Sequence, residues 1–213
     1  MSEFKETPIS SEALQHEIEL QKSLSSEENA KRYLELKNKA GTDPLTGLKN
    51  KNLVINQMNL VEDLLRRNKD QYCVLFIDVD DLKKINDTEG HDKGNQVIVN
   101  IANALKDSSR DSDILGRWTK GDEFVLILTG TNESGAYTYY NRLIKIVGEN
   151  SELSNVSLSI GVSTCDFSKE EKPFMEAVNE ADKALYESKK GKGKRSEKTG
   201  MIFYKEILKN EQK

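Results

Sequence analysis

The run YCVLFIDVD, residues 72–80, constrains the chain more than any other stretch. Its apolar, β-branched and aromatic residues follow one another with no polar alternation, the pattern of a strand covered on both faces. A layered fold is the consequence. The end of the run carries Asp78, with Asp80 expected on the same face two residues later and Asp81 next. Carboxylates crowded at a strand end are unfavourable unless a cation or solvent compensates them.

The flanking segments supply the layers. LVINQMNLVEDLLRR repeats apolar residues at helical spacing, and GNQVIVNIANALK puts Val97, Ile98, Ile101, Ala102 and Leu105 on one side of a helix. DILGRW and EFVLILT flank TKGD and predict a hairpin. A helix follows over 133–147. NVSLSIGVS alternates Val156, Leu158, Ile160 and Val162 with small or polar residues, which predicts a half-buried antiparallel strand. Pro173 opens a last helix running through Ser188, followed by the basic KKGKGKR and a short strand candidate, MIFYK. This order of elements predicts a ferredoxin-like α+β sandwich with a mostly antiparallel central sheet.

Two regions are expected. Residues 1–41 are polar, with apolar residues paired four apart (Leu14 and Ile18, Ala30 and Leu34) and a capping-box spacing at Ser25 and Glu28. Such a helical leader cannot build its own core, so it is expected to dimerise the protein or dock an unknown partner. Residues 42–213 form the main domain, opening on the turn-rich GTDPLTGLKNKN. The net charge of −4 offers no electrostatic footprint for nucleic acid. No apolar run reaches bilayer length and the N-terminus lacks a signal-peptide core, so no membrane association and a cytoplasmic location are expected. Cys73 and Cys165 lie in strand-like segments and are expected as reduced, buried thiols.

Asp122 and Glu123 form a second acidic pair, in the bend of the predicted hairpin. If that hairpin lies beside the 72–80 strand, the two sets of acids meet in an oxygen-only site suited to Mg²⁺, which takes one or two carboxylates and completes its shell with water and phosphate oxygens. On spacing alone a metal site and a solvated acidic loop fit equally.

The wider sequence separates these readings. FIDVDDLKKINDTEGHDKGN and KGDEF, with DPLTGLKNK before and IGVS then ADKALYESKKGKGK after, resemble the GGDEF family of diguanylate cyclases over about residues 42–195. The resemblance implies a nucleotidyl-cyclase (palm-like) form of the α+β sandwich. It also implies a homodimer that joins two GTP into cyclic di-GMP, each ribose 3′-hydroxyl attacking the other nucleotide's α-phosphorus. Two divalent ions per site, Mg²⁺ or Mn²⁺, are implied, held by Asp78, the Val79 carbonyl and Asp122, with Glu123 and Lys83 assisting catalysis. Backbone amides of Asp81 and Leu82 would meet phosphate oxygens, as would Lys189, Lys190 and Lys192. Asn86 matches the position facing the guanine edge, and Arg110 with Asp113 matches the site where cyclic di-GMP inhibits. Asp43, Leu45 and Thr46 match the family's opening motif, which is expected to tie the leader to the domain.

The sequence departs from the family at three positions. Lys120 replaces the first glycine of the signature, and one residue is added between Arg117 and Gly121. The expectation is a bulge, with Gly121 supplying an unusual backbone angle. Asn95 stands where guanine-selecting relatives carry aspartate; an amide supplies one acceptor and one donor, so mixed GMP–AMP products are an alternative to cyclic di-GMP. A catalytically silent domain that binds GTP or cyclic di-GMP and signals through its leader is the other alternative.

Overall fold

In the computed structural model, residues 28, 31, 41–119, 121–190 and 200–211 are described. The chain divides into two units, Met1–Gly41 and Thr42–Lys213. In the first, Glu28 and Lys31 are helical; the expected apolar pairs of the leader lie outside the described residues.

The second unit contains β1 (Lys49–Asn50), α1 (Lys51–Asn68), β2 (Gln71–Val79), α2 (Leu82–Glu89) and α3 (His91–Ser108). Then come β3 (Ile114–Arg117), β4 (Glu123–Thr129), α4 (Glu133–Glu149), a 3₁₀ turn (Ser151–Leu153), β5 (Leu158–Asp166), α5 (Phe174–Lys190), β6 (Gly200–Phe203) and α6 (Tyr204–Glu211). One mixed sheet results, in the order β1-β3-β4-β2-β5-β6. The four central strands are antiparallel, and the edge pairs β1–β3 and β5–β6 are parallel. This is the expected α+β sandwich with added elements.

β2 lies at the centre, and every residue in it after Gln71 is buried. Its side chains divide by parity between two cores. Cys73, Leu75, Ile77 and Val79 pack with Val97, Ile101 and Leu105 of α3 and Leu143 of α4. Tyr72, Val74 and Phe76 pack with Val54 and Met58 of α1 and Ala181 and Leu185 of α5. Asp78 continues the second series and therefore faces the side covered by α1 and α5. The same alternation separates the two thiols. Cys165 pairs with Tyr72 and Cys73 with Thr164, which turns the cysteines to opposite faces; both are free and buried.

Three elements differ from the sequence expectation. β5 is buried along most of its length rather than half-buried. Ser159, Gly161 and Ser163 look like a solvated face, yet they are small because α5 lies against them. A Cβ on Gly161 would meet the Ala181 carbonyl oxygen at 2.0 Å and the Leu185 nitrogen at 2.1 Å. Residues 82–89, for which no element was expected, form the helix α2. MIFYK does not continue as a strand: β6 stops at Phe203, whose N–H donates to Glu206 Oε2 at 3.3 Å, a side-chain cap that starts α6 at once.

Gly161→Ala is expected to force β5 and α5 apart and lower stability by about 1–3 kcal/mol or more. Urea denaturation measures this, with Gly121→Ala as the contrast: among the described residues a Cβ there meets only Thr119 Oγ1, at 3.5 Å.

Candidate active site

The antiparallel ladder between β2 and β4 settles whether the two acidic sets meet. It runs from Tyr72 opposite Thr129 to Asp78 opposite Glu123, and the Val79 N–H donates to the Asp122 carbonyl at 3.1 Å. Directly paired residues share a face of the sheet, so Asp78 and Glu123 point the same way with Asp122 beside them. A cation already balances them. Lys189 Nζ, from the end of α5, lies 2.7 Å from Asp78 Oδ2.

Burial pushes the Asp78 carboxyl up to about 6; Asp122 and Asp80 add to the rise, while Lys189 opposes it. Burial also disfavours the Lys189 ammonium, but its bond to Asp78 and the nearby Asp122 and Asp80 outweigh that and hold it above the ordinary lysine range. Asp80 lies on the expected face, near enough for its charge to act on Asp78 and Lys189. It accepts from Ser157 Oγ at 2.9 Å and Ser159 Oγ at 2.8 Å, which turn it toward β5. Among the described residues no set of three or more His, Cys, Asp and Glu side chains stands ready to enclose a metal. Asp78 and Asp122 provide the sparse, all-oxygen donor set that suits Mg²⁺ with water and phosphate in its remaining positions.

After β2 the chain turns through Asp81, which takes a left-handed backbone (φ 57°) and starts α2 without a side-chain cap. The first N–H groups of α2, Leu82 among them, have no acceptor within the helix. Lys83 is exposed beside them. Gly90, at φ 88°, lets α2 fold back on α3. Asn86 then lies across Gly94, where a Cβ would come within 1.8 Å of Asn86 Oδ1. The bare Gly94 thus seats Asn86 one residue from the exposed Asn95.

The added hairpin residue is absorbed differently from the expectation. The β3–β4 ladder runs unbroken from Ile114 opposite Ile127 to Arg117 opposite Phe124, and the Trp118 N–H closes on the Glu123 carbonyl at 2.9 Å. The insertion is confined to the turn over residues 119–122; Lys120 lies outside the described residues. No bulge enters the ladder.

Arg117 holds this turn, a role that sequence reasoning missed. Its Nε and Nη2 donate to the Gly121 carbonyl at 3.1 and 2.7 Å, and its Nη1 donates to both oxygens of Asp43, at 3.0 and 3.1 Å. Thr46 donates to Asp43 Oδ1 from its amide at 2.9 Å and its hydroxyl at 2.7 Å. Burial would raise the Asp43 carboxyl, but Thr46 and Arg117 outweigh it and hold it below the usual range. Asp43 thus ties the opening loop to the acidic turn. The available signal was an arginine ending an apolar strand and needing an acid.

Other expected site residues are dispersed. Lys190 is not brought to the cluster: it pairs with Glu187 at 2.8 Å and lies over the Tyr186 ring, because helical geometry points it away from Lys189. Lys192 lies outside the described residues. Arg110 and Asp113 form a separate turn, with the Arg110 N–H donating to Asp113 Oδ2 at 2.8 Å. Asp113 is buried, its Oδ1 has no partner among the described residues, and it lines a cavity of about 530 Å³ with Lys49, Lys106 and Arg110.

The sequence profile described as "Diguanylate cyclase, GGDEF domain" matches residues 40–195. The chain belongs to the GGDEF family. Diguanylate cyclase A of Treponema denticola is 38% identical over 158 residues, 70% of this chain and 41% of that protein. The probable diguanylate cyclase DgcC of Escherichia coli is 35% identical over 159 residues, 73% and 42% of the two chains. The chain therefore spans less than half the length of these curated GGDEF relatives. Among solved structures, the Pseudomonas aeruginosa diguanylate cyclase SiaD, in complex with its activator SiaC, superposes with a TM-score of 0.68 at 28% identity, covering 91% of this chain and 76% of that one. The coiled coil and GGDEF domain of Caulobacter crescentus DgcB shares the fold, with a TM-score of 0.72 at 23% identity over 88% of this chain and 98% of that one.

Arg117→Leu leaves Asp43 buried without its cation and frees the GGDEF turn. The expected loss of stability is about 3 kcal/mol, measured by denaturation, since breaking a buried pair exposes the full desolvation penalty of the remaining charge.

Proposed function

We propose that this chain is a diguanylate cyclase that condenses two GTP into cyclic di-GMP and two pyrophosphates across a homodimer. The observation that carries this reading is the placement of Asp78 opposite Glu123, with Asp122 bonded through its backbone to Val79. Asp78, the Val79 carbonyl and Asp122 would hold two Mg²⁺ or Mn²⁺ ions. Bound there, such ions neutralise the triphosphate and favour ionisation of the attacking hydroxyl.

The protein's own groups do the positioning. The amides of Asp81 and Leu82 and the ammonium groups of Lys83 and Lys189 receive phosphate oxygens. Asn86, seated on Gly94, faces the base edge. Glu123, next to Asp122, assists at the reacting centre. In each half-reaction the 3′-oxygen forms a bond to the α-phosphorus of the nucleotide on the other subunit as the α–β anhydride bond breaks. Pyrophosphate leaves with the electron pair and the hydroxyl proton passes to solvent water. Because each subunit presents one GTP, a monomer is half a catalyst. Residues 1–41 would bring the subunits together or dock a partner. The complex of SiaD with an activator supports the second possibility by analogy.

The partnerless Asp113 oxygen and the basic residues around its cavity support cyclic di-GMP binding at Arg110 and Asp113 as product inhibition. Asn95 favours a second reading, a cyclase with mixed GMP–AMP output. An amide complements the donor–acceptor edge of adenine better than a carboxylate does.

Purified protein incubated with Mg²⁺ and GTP, or with GTP and ATP together, tests both readings when the nucleotides are resolved by chromatography. Cyclic di-GMP from GTP is expected, with Asp78→Asn reducing turnover by a factor of 100 or more, the order of a lost electrostatic element. Cyclic di-GMP alone from the mixture dismisses mixed output. Bound but unreacted GTP identifies a silent signalling domain instead.

A further inference from the structure

We infer that Lys189 is a built-in counter-ion for Asp78, which an arriving metal ion displaces and nucleotide phosphate then captures, so that metal and nucleotide bind cooperatively. This rests on the metal reading of Asp78 given above.

The Asp78 side chain is only 6% exposed. It faces Glu123 across the ladder and feels the charges of Asp122 and Asp80. Like charges opposed on neighbouring strands repel, and a buried carboxylate needs a cation. Lys189 provides one, and its own side chain remains 42% exposed. A lysine head is a point charge on a flexible stem, so it can change partners without moving the backbone.

The backbone beneath it is fixed. Ser188, the preceding residue, is buried and its hydroxyl donates to the Gly200 carbonyl at 2.9 Å, tying the end of α5 to β6. One turn earlier, Leu185 is in backbone contact range of Gly161 on β5. The arm of Lys189, by contrast, is free to swing. Lys190 is engaged by Glu187 and Tyr186 instead.

A divalent ion entering alone must break the Lys189–Asp78 pair and leave the ammonium in solvent. With nucleotide present, the displaced ammonium has phosphate to meet. Each ligand therefore strengthens binding of the other, by the reciprocity of linked equilibria.

Mn²⁺ binding to the full chain without nucleotide, followed by electron paramagnetic resonance, tests this directly. Lys189→Met and Lys189→Gln are each expected to bind Mn²⁺ about tenfold more tightly than the unmodified protein, within the usual range of such couplings. Lys190→Met is expected to match the unmodified protein. In the presence of Mn²⁺, the Lys189 variants are expected to bind a non-hydrolysable GTP analogue more weakly. Unchanged or weaker Mn²⁺ binding in both Lys189 variants overturns the inference while leaving the metal site standing. Mn²⁺ binding that Asp78→Asn does not alter, or no Mn²⁺ binding by any of these proteins, overturns the metal reading itself.

Discussion

Antiparallel pairing of β2 with β4 sets Asp78 opposite Glu123, and every other feature of the candidate site takes its position from that register. A slip of one residue would turn Asp78 into the core packed by α3 and α4 and carry Val79 to the site. The alternation of Tyr72, Val74 and Phe76 against Cys73, Leu75, Ile77 and Val79 prevents that slip, because each series fits its own core. The hydrophobic pattern of one strand thus determines where a charged group emerges. Arg117 completes the arrangement at the turn, where no ladder bond reaches Gly121.

Charge balance is the second constraint. The proposed metal site requires acids packed closely enough to share a cation, and folding alone would place them in repulsion. Asp80 accepts from two serine hydroxyls, whereas Asp78 is paired with Lys189. A cluster that depends on a lysine in the free protein is one that a doubly charged ion can enter by exchange. In the proposed reading, stability and function are thereby coupled through one ion pair.

Much of this was legible in the sequence. The unbroken apolar run marked the central strand, the periodicities marked the helices, and the motif blocks marked which acids would converge. Contacts between distant segments were harder to read. Ser159, Gly161 and Ser163 gave the pattern of a wet strand face, because sequence alternation does not distinguish small residues facing water from small residues facing a helix backbone. The lysines at the end of α5 formed one basic cluster in sequence, yet the helical turn separates Lys189 from Lys190. The Arg117–Asp43 pair spans two segments that share no local pattern, so no spacing rule announces it.

The sharpest test is a crystal structure with Mn²⁺ and a non-hydrolysable GTP analogue, located by anomalous scattering. An ion about 2.1 Å from carboxylate oxygens of both Asp78 and Asp122 is the result this account predicts. An ion bound elsewhere, with those two carboxylates directed apart while nucleotide is bound, would contradict it.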